Sequence, residues 1–229
     1  MSLTGALPRG ISLRGLLLPA LAAGIAAGAV GTVLQQLFLV PLILQAETLE
    51  AAGHVRAAAA WEPQAGLERA LYTLLFNCLG AFGFALLLAG CYALRGGMTW
   101  PLGLLWGLAG FASFSAAPAL GLPPELPGAA AADLAARQLW WVATALGTAA
   151  GLACLFLARQ PGMRVLGLLL IAAPHLVGAP NSPDVASAIP EDLGRAFSIG
   201  SLAVSAVMWL ILGAVTAALA PRRRSTMLF

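Results

Sequence analysis

The stretch 71–94, LYTLLFNCLGAFGFALLLAGCYAL, carries no charge and is bounded by Glu68-Arg69 on one side and Arg95 on the other. A helix crossing a hydrocarbon core about 30 Å thick needs roughly 20 apolar residues at 1.5 Å rise each, and this stretch supplies them without interruption. Runs of the same character recur along the chain. The sequence predicts an all-α, polytopic membrane bundle, a single transmembrane domain over residues 1–229 with six spans near 16–44, 71–94, 100–120, 139–158, 165–177 and 197–219. The fifth span is short, with a basic start and a proline-rich end. The first is long enough to tilt or to continue past the bilayer.

Composition agrees with that reading. Apolar residues make up 60% of the chain and charged residues 9%, and mean hydropathy is +0.90, so the polar residues are too few to coat a soluble globule of this size. All nine carboxylates fall in three connecting stretches, 47–68, 125–133 and 184–192. The alternate connections and the two ends hold Arg9, Arg14, Arg95, Arg159, Arg164 and the cluster Arg222-Arg223-Arg224, with no acid among them. Positive charge is retained on the cytoplasmic side during insertion, so both termini are expected in the cytoplasm of a bacterial inner-membrane protein, and the acidic loops outside. The first apolar run continues to Leu44, beyond the ~7–15 residues of a signal-peptide core, and is expected to be a retained helix. The net charge of +3 is dispersed over membrane-flanking positions, and no nucleic-acid partner is expected. Cys78, Cys91 and Cys154 lie inside apolar spans without a CxxC pair, which argues against a disulfide framework.

The spans share a plan. Outgoing helices reach Pro41, Pro118 and Pro174, an acidic loop follows, and Arg69, Arg137 and Arg195 open the return helices. Three tandem hairpins are one account of this pattern, and the common occurrence of proline and arginine near helix ends is another. Gly24 with Gly28, extended by Ala20 and Thr32, and Gly103 with Gly107 provide small-residue spacings that let helix backbones approach closely.

Several side chains are candidates for cation chemistry. Glu47, Glu50 and His54 fall at i, i+3 and i+7, on one face of a helix, and two carboxylates with an imidazole suit borderline first-row metals. Solvation of an interfacial helix accounts for the same three residues. His175 sits between Pro174 and Leu176 at the end of a span, where proline can leave carbonyl groups without their helical donors. Glu125 lies in LPPELPG (122–128), held by three prolines, where a carboxylate is fixed more firmly than in an ordinary loop. Glu62, Glu68, Asp133 and Asp192 complement helix dipoles near first turns and are expected to be structural. Polar residues inside spans, among them Gln35, Gln36, Asn77, Ser113, Ser115, Thr144, Thr148, Ser198, Ser201 and Ser205, outline either an uncharged hydrated route or a set of interhelical hydrogen bonds.

Some chemistries are excluded or disfavoured. There is no lysine, so no GxxxxGK[ST] phosphate loop exists; HExxH and GxSxG are also missing. No enzyme is expected.

The segments PLILQAE (41–47), ERALYT (68–73), APALGLPPELPG (117–128), RQLWW (137–141) and PHLVGAP (174–180) resemble the CbtA family of predicted cobalt transporters. The resemblance implies a subunit of cobalt uptake associated with cobalamin biosynthesis and accompanied by CbtB, a small single-span protein with a histidine-rich end. By position it points to Glu47, Arg69, Glu125, Arg137, Gln138 and His175; His54 lies outside these motifs. The expected metal-handling residues are therefore Glu47, His54, Glu125 and His175, with Gln35, Arg69, Asn77, Arg137 and Gln138 as pathway or structural groups. No permanently bound cofactor is expected, and Co²⁺ is the transported ion. Membrane lipids, the CbtB-like companion and, as an open alternative, a second copy of the chain are the expected partners. A scaffold subunit that does not transport, or a membrane enzyme acting on a lipid, are the competing functions.

Overall fold

The structure, a computed structural model, describes residues 12–52, 63–96, 98–181 and 189–221. His54, Glu62 and Asp184 lie outside the described residues, as do Arg9 and Arg222 to Arg224. The elements are α1 (Leu13–Leu34), a π-helical turn (Gln35–Leu39), α2 (Val40–Ala52), α3 (Leu67–Arg95), α4 (Trp100–Phe111), a second π-helical turn (Ala112–Ala116), α5 (Ala117–Ala119), α6 (Leu134–Leu157), α7 (Pro161–Val177) and α8 (Glu191–Leu219). No strand occurs among the described residues.

Among the described residues, five helical stretches are long and apolar enough to cross a membrane: Leu13–Glu50, Leu67–Arg95, Trp100–Ala119, Leu134–Leu157 and Glu191–Leu219. The expected count of six spans is corrected at the fifth. α7 has 17 residues, roughly 26 Å of helix at 1.5 Å per residue. Its length is limited by sequence: Pro161 opens it, and Gly178 at φ 88° closes it by donating its N–H to the Pro174 carbonyl. The first helix runs past Pro41. The π-helical turn before that proline shifts the hydrogen-bond register, with Val40 N–H given to the Gln35 carbonyl, so the missing proline N–H does not end the helix.

The chain forms two compact units. The first comprises Met1–Thr32, Ala65–Leu108 and Val207–Phe229. Its contacts are made by small residues, as close helix packing in lipid requires. Ala20, Ala23, Gly24, Ala27, Gly28, Gly31 and Thr32 form the buried face of α1. A Cβ added at Gly24 would lie 2.7 Å from the Cα of Phe82, and one at Gly28 would lie 2.6 Å from the Cα of Cys78. Gly103 and Gly107 of α4 meet the backbone of Gly213 and Trp209 of α8 in the same manner. Larger groups then fill the edges. Tyr92 packs edge-on to Trp106 at 5.7 Å and Phe84 lies 4.8 Å from Trp209. The Tyr92 hydroxyl donates to the Gly213 carbonyl at 3.2 Å. Tyr92→Phe is expected to remove about 1 kcal/mol and to lower the melting temperature of the detergent-solubilised protein by about 2–4 °C.

The second unit comprises Val33–Gln64 and Ala109–Ala206. In it α6 and α7 make a tight hairpin, with Gly147 against the Leu170 carbonyl and Gly151 against Gly167. Ala46, Leu126, Ile189 and Leu193 form a buried cluster, flanked by Leu42, Ile43, Leu49 and Phe197. This cluster fixes α2, the proline-rich loop and the start of α8 to one another.

Candidate functional site

Within the second unit a cavity of about 700 Å³ is lined by residues of the second π-helical turn, α5, the loop after it, α6 and α8. Two stretches build most of its wall. Pro118, Leu122, Pro123, Pro124 and Glu125 come from the proline-rich segment, and Arg137, Gln138 and Trp141 from the first turns of α6. Apolar rings and branched chains make the bulk of the surface, while Ser115, Ser201 and Ser205 add hydroxyls. Such a mix of apolar wall and few placed polar groups is what binding sites use to orient a ligand.

Charge in the cavity is paired. Arg137 Nη2 donates to Glu125 Oε2 at 2.9 Å, with 30% and 24% of the two side chains exposed. The pair joins residues 12 apart across the loop. Its geometry follows from the local fold. Asp133 caps α6 by accepting from Ala136 N–H at 3.0 Å, which places Arg137 one turn into the helix. On the other side, Ser198 Oγ donates to the Pro124 carbonyl at 2.7 Å, Leu126 is buried in the core cluster, and Gly128 turns at φ 79°. Glu125 is therefore held from three directions. A carboxylate so placed is a potential metal ligand only when a cation competes successfully with the guanidinium.

Deeper along the same wall, Ser115 and Ser205 share a hydrogen bond of 2.7 Å, and Phe114 lies 6.2 Å from Trp141. His175 is half-buried near the end of α7, edge-on to Trp140 at 5.8 Å. Its Nε2 is buried without a hydrogen-bond partner. The Pro174 carbonyl accepts from both Trp140 Nε1, at 3.2 Å, and Gly178 N–H, at 3.0 Å; the carbonyl that Pro174 deprives of its helical donor is that of Leu170, four residues earlier.

The remaining candidates are distributed. Glu47 is half-buried on α2, in the turn that also carries the core residue Ala46. The Glu50 carboxyl lies beside Gly128. Gln35 lies in the first π-helical turn, and Gln138 is exposed at the cavity wall. Asn77 Nδ2 donates to Thr32 Oγ1 at 3.0 Å and the Thr32 hydroxyl donates onward to the Gly28 carbonyl at 2.8 Å, a relay that ties α3 to α1. Arg69 belongs to the first unit, whereas Glu47, Glu125, Arg137 and His175 belong to the second. Among the described residues no three His, Cys, Asp or Glu side chains gather as a metal-holding group.

Comparison with known families places this arrangement. The family model for CbtA, described as a probable cobalt transporter subunit, matches residues 13–221. The chain belongs to the CbtA family. Neither a curated protein nor a solved structure matches it. It is thus a multi-pass membrane protein of a cobalt-transport family, and the cavity wall consists largely of two of the segments that carry the resemblance to CbtA proteins, 117–128 and 137–141. Sequence reasoning singled out Glu125 and Arg137 separately, and Ser115, Ser201 and Ser205 as route residues. It missed the pairing, because a contact across a 12-residue loop leaves no periodic signature.

Proposed function

We propose that this CbtA chain is the inner-membrane subunit of divalent cobalt uptake and that the Arg137–Glu125 cavity receives the cation from the outer face. The observation that carries the reading is the convergence of Glu125, Arg137 and three serine hydroxyls on one cavity built from family-specific segments. Acids gathered on three connections raise the local concentration of Co²⁺, and both termini lie in the cytoplasm, as the distribution of arginine requires. Arg137 neutralises Glu125 until a cation displaces it, so the pair acts as a gate rather than as a trap. The hydroxyls of Ser115, Ser201 and Ser205 then offer neutral oxygen to the ion.

A second reading is favoured by the lack of any three-ligand group among the described residues. In it, a companion subunit with its own histidines captures the metal, and this chain scaffolds that partner without conducting. The two readings separate in cells lacking other cobalt importers. Expression of this chain with its companion raises cobalt accumulation under the first reading; equal accumulation with the companion alone sinks it.

A further inference from the structure

Hydroxyls on these helices commonly turn back onto their own backbone. Thr32 donates to the Gly28 carbonyl, Thr73 to Arg69 and Ser113 to Ala109, each four residues earlier. Such a bond is available to any helical threonine. Thr144 and Thr148, one turn apart on α6, do not make it. They are 0% and 4% exposed, and both Oγ1 atoms meet no protein partner. Two buried hydroxyls one turn apart on one helix thus lack the bond to their own backbone that the others make.

The second π-helical turn, which packs against α6, contributes a carbonyl. Ala117 N–H is given to the Ala112 carbonyl, and the residue five beyond Ser113 is Pro118, which has no N–H. The Ser113 carbonyl therefore has neither an α-helical nor a π-helical donor, and Ser113 is 3% exposed. The same device occurs earlier in the chain. Val40 N–H is given to Gln35, Pro41 follows, and the Gln36 carbonyl is deprived in the same way; Gln36 Nε2 is also buried without a partner. Backbone groups left unpaired in a bilayer are tolerated where they line a hydrated path, and π-turns inside α-helices frequently mark functional positions.

We propose that Thr144, Thr148 and the Ser113 carbonyl form a buried, neutral oxygen site at which a divalent cation sheds part of its hydration shell during transit. The inference rests on the transport reading above and adds a second station to it, about two turns of α6 beyond Arg137. Neutral oxygens replace water molecules around the ion one for one. With no carboxylate among them the ion is bound weakly enough to leave, which conduction requires.

Valine matches threonine in shape and lacks the hydroxyl, so the doubly substituted Thr144→Val, Thr148→Val protein tests the site. The initial rate of cobalt accumulation is expected to fall at least fivefold while the melting temperature of the purified protein is unchanged or raised, because a buried unpartnered hydroxyl has been removed. Thr144→Ser with Thr148→Ser keeps both hydroxyls and is expected to retain uptake. A valine variant that accumulates cobalt at the wild-type rate overturns this site and leaves the transport reading standing. A lowered melting temperature in the valine variant shows that the hydroxyls serve packing, and a loss of uptake shared by the serine variant shows that methyl shape is what matters; either result overturns the site. Wild-type protein that raises no accumulation overturns both readings together.

Discussion

Replacing Gly213 by valine is expected to destroy the folded first unit or to lower its melting temperature by 6 °C or more. The reason is backbone contact rather than side-chain crowding. A Cβ at this position would sit 2.8 Å from the Gly107 amide nitrogen and 2.9 Å from its Cα, and would meet the Gly103 carbonyl oxygen more closely still. Those atoms belong to α4 itself and cannot rotate away, so the helices must separate. Separation also strains the Tyr92 hydroxyl bond to the Gly213 carbonyl and loosens Trp209 against Phe84. Overpacking of a tight core costs about 1–3 kcal/mol where side chains can yield; here the cost is at the top of that range or beyond it, which corresponds to about 6–12 °C in a chain of this size. Gly80→Ala is the control. Nothing lies within 4 Å of a Cβ at Gly80, and alanine is favoured over glycine inside a helix by up to about 1 kcal/mol, so this variant is expected to melt at the wild-type temperature or above it. Thermal unfolding in one detergent, followed by circular dichroism, compares the two. Equal melting of Gly213→Val and wild type removes the claim that α4 and α8 are joined through backbone contact.

Gly213 also marks what the sequence made legible and what it did not. The pairs Gly24 with Gly28 and Gly103 with Gly107 announce themselves by spacing, and each is found against a neighbouring backbone. Gly213, the residue that receives Gly103 and Gly107, stands four residues before Ala217, which also lies against Gly103, but a glycine–alanine pair in an alanine-rich span does not announce itself as two glycines do. Spans were legible because a bilayer demands uninterrupted apolar length, and the shortness of α7 was legible in its basic start and proline-rich end. The π-helical turns were not. Hydrogen-bond register is invisible in composition, and only in hindsight does a proline two residues past Leu39 and two past Ala116 account for both turns. At the cavity, residue types were legible one by one, while the neutralisation of Glu125 by Arg137 needed three-dimensional geometry.

That neutralisation gives the second large effect an asymmetry that a simple acidic entrance lacks. Glu125→Gln leaves the Arg137 guanidinium without its carboxylate in a partly enclosed cavity. Two unit charges 4 Å apart interact by about 4 kcal/mol at an effective dielectric constant near 20, and a divalent ion doubles that figure, so an approaching cation is repelled strongly even after screening. Cobalt accumulation is expected to fall at least tenfold. The loss is electrostatic rather than structural, since the loop remains held by Ser198 and Leu126. Arg137→Gln acts in the opposite sense at the first step, because the freed carboxylate captures the cation; it slows release, so bound cobalt rises in the purified protein while the rate of accumulation falls. Removing both charges, in Glu125→Gln with Arg137→Gln, abolishes the repulsion and is expected to recover part of the uptake that Glu125→Gln alone loses. Recovery in the double variant is the diagnostic result. A packing role for the pair predicts instead that the double variant is at least as impaired as either single one, and accumulation of radioactive cobalt in the four strains, normalised to membrane protein, decides between a gate and a structural clasp.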